Sequence, residues 1–175
     1  MKSVLVSAVV ALAALALGAC YASSMLLLNP DEAAHPLADG IYERDGGDHD
    51  RLRVTERMDG WYDVERFNPD GTLGETRQVL FNALPDAGDK AYAVAEQSDE
   101  GYVYGVVLVR DERVYLATPD CSDPLDRSLA VDHGGLPEDD DSMTHNCSFR
   151  SRDAVLSALA DYAGQADFGA PFQKK

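Results

Sequence analysis

Apolar and polar positions divide the chain into three parts. An apolar run from Val4 to Leu17, broken only by Ser7 and preceded by the cationic Lys2, opens the sequence. From Gly40 to Thr118 short segments alternate with period two between turn signals, the pattern of strands half exposed to water. Near the C-terminus the period becomes helical.

The first strand expected is Gly40-Ile41-Tyr42-Glu43-Arg44, followed by the turn-rich Asp45 to Asp50. Arg51 to Arg57 alternates, with Leu52 and Val54 on one face. Met58-Asp59-Gly60 supplies a hairpin, after which Trp61 to Phe67 returns with Tyr62 and Val64 on one side. Asn68-Pro69-Asp70-Gly71 is a stronger turn signal, because proline presets the first central residue and glycine supplies the positive φ that closes it. Further strands are expected around Arg77 to Asn82, over Lys90 to Glu96, over Tyr102 to Val109 and over Val114 to Thr118. Tyr102 to Val109 is apolar on both faces, as in a strand covered on both sides or curled within a barrel; Gly105 in its middle suggests a bulge or a closely packed helix. The one helix expected starts at Ser151 as N-cap, presents Val155, Leu156, Leu159 and Tyr162 as a stripe, and stops at Gly164. The fold class is therefore mainly β (α+β): an antiparallel meander or small, partly open barrel of about six to seven strands with one C-terminal helix.

The first segment is addressed rather than folded: a basic start, an apolar stretch and small residues form a secretory signal. Its end, Leu17-Gly18-Ala19-Cys20, resembles the lipobox of bacterial lipoproteins. That resemblance implies a diacylglycerol on the Cys20 sulfur, cleavage before Cys20 and acylation of the new amino terminus. The lipid bilayer is then a partner through acylated Cys20, and the domain faces the periplasm of a bacterial cell envelope. Tyr21 stands where an aspartate resembles an inner-membrane retention signal, which favours the outer membrane. The competing reading joins Val4 to Leu28 into one helix of 25 residues, long enough to span a bilayer as a signal anchor. The lipobox divides the chain into a signal peptide over 1–19, a tether over 20–39 containing Pro30 and Pro36, and a single domain over 40–175.

Removal of residues 1–19 leaves 156, enough for one core. Of the 15 basic residues one is Lys2, so the remainder sets 14 against 31 acidic residues, a net charge of −17. Nucleic-acid affinity rests on Lys and Arg neutralising phosphates, so this composition excludes nucleic acid as a partner. If Cys20 is lipidated, Cys121 and Cys147 remain as an even pair, 26 residues apart. An oxidising periplasm favours a disulfide between them, worth about 3–4 kcal/mol in the chain-entropy account. With His133 and His145 the two cysteines could also form a zinc or copper set, but the close Cys-x-x-Cys spacing of structural zinc is missing. No metal site is assigned.

The candidate chemistry elsewhere is thin. The stretch from Pro119 to Asn146 reads as an acidic loop whose carboxylates match no calcium-loop spacing. There is no Gly-x-Ser-x-Gly elbow, phosphate loop or dinucleotide fingerprint, so no catalytic residue and no cofactor is assigned. Gly40-Ile41-Tyr42 at the start of a meander is similar to the Gly-x-Trp opening of lipocalins and small periplasmic inhibitor barrels, with tyrosine in place of tryptophan. Three readings follow. The first is a non-enzymatic envelope lipoprotein that binds another envelope component or serves structurally. The second is a small-ligand carrier or inhibitor with a barrel pocket lined by residues such as Tyr62, Tyr102, Tyr104 and Val106. The third is a hydrolase or metal-dependent enzyme built on His133, His145 and nearby carboxylates.

Overall fold

The computed structural model describes residues 21–44, 50–88, 90–138 and 146–175. The signal segment, the lipidation position Cys20, His49 and His145 lie outside the described residues. The protein is mainly β and antiparallel, as expected, but its sheet closes. Eight strands form the barrel: β2 (Gly40–Arg44), β3 (Arg51–Glu56), β4 (Tyr62–Phe67), β5 (Leu73–Ala83), β6 (Ala91–Ser98), β7 (Gly101–Arg110), β8 (Arg113–Ala117) and β11 (Phe172–Lys174). β2 to β8 run as a meander, β6 pairs with β7, and β11 slots between β8 and β2 to complete the ring. Three outer strands, β1 (Tyr21–Ser23), β9 (Leu136–Pro137) and β10 (Cys147–Ser148), and two helices, α1 (Pro124–Asp132) and α2 (Arg152–Ala163), lie against it.

All seven strands expected from alternation are present, with longer bounds for β5. Their turns form as the residues dictate: Gly71 takes φ of 82°, its N–H bonds the Asn68 carbonyl, and the Asn68 N–H bonds Thr72. The partly open sheet is corrected to a closed barrel because the strand that closes it, β11, is only three residues long and carries no period that a sequence window could register. Gly105 makes neither a bulge nor a helix contact. A Cβ there would sit 2.9 Å from the Ala117 carbonyl of β8, at the corner where β8 leaves β7. β8 pairs only with Val106 to Arg110, and the edge of β7 vacated over Tyr102 to Tyr104 is taken by β1.

Two layers of core follow from the alternation. One side of β5, β6 and β7 faces inward with Val79, Phe81, Val94 and Val107; the other faces outward with Leu80, Ala93, Ala95, Tyr104 and Val106. β7 is apolar on both faces because both faces are covered. The three alanines of β6 leave room for α2, which buries Val155, Ala158, Leu159 and Tyr162. Ser151 caps α2 by accepting from Ala154 N–H at 3.2 Å, and Gly164 ends it.

The expected single helix is corrected to two. α1 lies inside the stretch read as an acidic loop, and the carboxylates there build it: Asp123 caps its first turn through Leu125 and Asp126 N–H, while Asp120 bonds Ser122. Cys121 and Cys147 are disulfide-bonded, with Cα atoms 5.8 Å apart, joining the turn before α1 to β10.

Residues 21–39, expected to act as a tether, are packed onto the domain. Tyr21, Leu27 and Leu28 are buried, Tyr21 O–H donates to the Asp126 carbonyl at 2.7 Å, and Tyr104 O–H accepts from Leu27 N–H. Prolines and missing alternation indicate irregular backbone but say nothing of what that backbone covers. The single-helix alternative does not extend through residues 21–28, where β1 is extended. Among the described residues no helix is long and apolar enough to cross a membrane.

Candidate functional site

Inward-facing residues of all eight barrel strands line a cavity of about 110 Å³. Leu52 and Val54 of β3, Val64 of β4, Val79 and Phe81 of β5, Val107 of β7 and Phe172 of β11 make most of its wall apolar. The alternation that puts Val79 and Phe81 inside also brings in Arg77, two positions earlier on β5, and on β6 the parity of Val94 brings in Glu96. The walls thus contain an ion pair, Arg77 Nη1 to Glu96 Oε1 at 2.5 Å.

One end of the barrel is closed by the chain's own residues 33–39. Ala34 N–H bonds the Phe81 carbonyl at 2.8 Å. Tyr62 O–H donates to the Leu37 carbonyl and Tyr42 O–H to that of Ala38, so the two interior tyrosines turn their hydroxyls to this cap and their rings to the barrel. Burial raises the pKa of both, that of Tyr62 to about 12, and the nearby Glu56 carboxylate adds to the shift of Tyr62. Leu37 from the cap reaches the cavity. His35 bonds Glu56 through Nδ1 at 2.9 Å.

The cap is fixed from outside by Asn82, whose 1% exposure leaves no water to satisfy its amide. Its Oδ1 accepts from Asn29 N–H at 2.8 Å, and its Nδ2 donates to the carbonyls of Asn29 and Glu32. Residues Pro30–Glu32 make one turn of 3-10 helix against it.

At the other end stand the charged groups. Glu96 is 5% exposed, and burial pushes its carboxyl pKa up although Arg77 pulls the other way. Arg44, opposite Phe172 in register, lies over that ring at 4.5 Å, and Arg66 is opposite Leu52. Both guanidiniums hold Asp50, at 3.0 and 3.2 Å.

No family model, curated protein or solved structure matches this chain.

Of the four residues expected to line a pocket, Tyr62 lies in the barrel interior but does not line the cavity. Tyr102, Tyr104 and Val106 are corrected: they share the outer face of β7, where Tyr104 and Val106 are buried beneath β1 and the helices and Tyr102 packs against the same layer. With both faces of β7 apolar, alternation alone could not say which one faced in. His133 caps α1 and bonds Asp161 of α2 at 2.8 Å, on the outer layer. Cys121 and Cys147 are engaged with each other, so the Cys/His set has lost its two thiolates. Among the described residues no group of three His, Cys, Asp or Glu side chains is arranged to hold a metal ion. Arg77 and Glu96 were not singled out by sequence. The signal was there: each is a charged residue two positions along its strand from an inward valine, Val79 for Arg77 and Val94 for Glu96.

Proposed function

We propose that this protein is a non-enzymatic binding module of the cell envelope, held to the membrane by a lipid on Cys20, whose barrel interior takes a small apolar ligand. The observation that carries the reading is the 110 Å³ cavity in an apolar wall, closed at one end by a hydrogen-bonded segment of the same chain. Cores pack closely, and an apolar cavity of comparable size, about 150 Å³, holds benzene. The space here suits one ring or a chain of about four to six carbons. The lipobox-like Leu17-Gly18-Ala19-Cys20 and the Cys121–Cys147 disulfide support an exported, anchored protein. Because Tyr21 is buried, an acylated Cys20 would hold the domain against the bilayer with no spacer between them.

Two experiments test this. Hexanol should bind the full-length protein in lipid nanodiscs with a saturable heat, and Val54→Phe, which fills the cavity, should weaken it about tenfold or more while the circular dichroism stays native. Equal binding by the variant would reject the barrel as the site. Intact mass of the membrane-extracted protein should show a triacylated Cys20 terminus; an unprocessed Met1 start would reject the anchor.

A further inference from the structure

The cavity has a floor and a mouth, and the strand directions tell them apart. The cap over residues 33–39 leads into β2, so β2 and β4 run away from it, β3 runs toward it, and β8, antiparallel to β11 as β2 is, runs with β2. On β3, β4 and β8 the inward residue nearer the cap is buried: Val54, Tyr62 and Val114. The next inward residue, two positions farther from the cap, is partly exposed on each: Leu52, Val64 and Leu116. The cavity therefore opens at the end opposite the cap.

At the closed end the cap contributes Leu37 to the lining. Its side chain is half-buried and packs on the inner apolar cluster, and its backbone is held from both sides. The Leu37 carbonyl accepts from Tyr62 O–H at 3.1 Å, the Ala38 carbonyl from Tyr42 O–H at 2.8 Å, and Asp39 Oδ1 from Glu56 N–H at 2.6 Å. Upstream, Ala34 N–H bonds the Phe81 carbonyl at 2.8 Å. A wall fixed in this way stops a ligand instead of yielding to it, since forcing extra methylenes into a packed interior is unfavourable. The two tyrosine hydroxyls nearest this end are engaged with the cap, so a polar group on the ligand would find no partner there and stays in water at the mouth.

We propose, building on the binding function above, that Leu37 sets the length of the ligand. The site takes the end of an unbranched hydrocarbon chain, methyl first, and holds about four to six carbons between Leu37 and the mouth. Each methylene inside the barrel adds about fourfold to the affinity, and carbons beyond the mouth add nothing because they remain in water.

The test is calorimetric titration of the full-length protein in lipid nanodiscs with butanol, hexanol and octanol, each referenced to Val54→Phe so that partition into lipid is subtracted. Hexanol should bind the parent about tenfold or more tightly than butanol, and octanol no more tightly than hexanol. Leu37→Ala lowers the floor, so in that variant octanol should exceed hexanol by about tenfold. Leu37→Phe raises it, and hexanol should fall to the affinity of butanol. Both variants keep the carbonyl that Tyr62 holds, and their circular dichroism should stay native. An affinity that climbs through octanol in the parent, or the same length limit in the parent and both variants, would overturn Leu37 as the floor while leaving the barrel as the site. Absence of saturable binding of all three alcohols to the parent would overturn the binding function with it.

Discussion

Glu96 shows what one residue can do to a barrel wall. Val94 precedes it on the inward face of β6, and the Glu96 side chain, 7% exposed, is paired with Arg77. Burial outweighs the arginine and raises its pKa from the ordinary 4.5, so the folded state holds this proton more tightly than the unfolded chain. The stabilising contribution of the neutral carboxyl is therefore complete below 4.5 and is lost as pH rises through the folded-state value. Glu96→Gln carries no such proton. The melting temperature of the variant relative to the parent should therefore rise between about pH 4 and pH 7, measured by differential scanning calorimetry; a difference that falls or stays flat would show that Arg77 outweighs burial. Such a residue is hard to find from sequence because a charged side chain on a strand is ordinarily exposed. Only the parity with Val94 marks it, and that parity means something only once the face has been assigned.

At the scale of elements, alternation located seven strands and the α2 cap and stop correctly, since those features are local. What it missed is non-local. β11 is Phe172-Gln173-Lys174, a strand only because β2 and β8 each present an open edge to it. α1 begins at Pro124 after Asp120 and Asp123, a composition that also suits a solvated loop, and it is kept by its cap, the Cys121–Cys147 bond and contact with α2. The segment over residues 21–39 has no period at all, yet it fills the vacant edge of β7 and closes one end of the barrel. Asn82 links that segment to the wall. Asn82→Ala should remove three hydrogen bonds to Asn29 and Glu32 and leave buried partners unmet, a loss of about 3 kcal/mol in chemical denaturation. It should also speed amide exchange in residues 30–39 more than in β3 or β4. A loss below about 0.5 kcal/mol would mean that water replaces the amide and that the cap is held by other contacts.

For the whole molecule, the two-layer arrangement explains a composition that looked featureless. The outer layer spends the apolar faces of β1, α1, α2 and the outward sides of β6 and β7 on stability, joined by a disulfide. The inner layer is lighter, mostly valine, and valines pointing at one another across a closed ring do not fill it. Alternation alone leads to a small barrel with a pocket, but the pocket's residues depend on closure, and closure depends on Phe172–Lys174. The proposed binding function requires that ligand reach that inner layer. Methyl-resolved NMR of the full-length protein in nanodiscs, titrated with hexanol, tests this most directly. Shifts concentrated on Val54, Val79, Val107 and Val114, with Val106, Leu80 and Leu159 of the outer layer unmoved, are the result expected from a ligand inside the barrel. Shifts confined to the outer layer, or none at saturating hexanol, would contradict it.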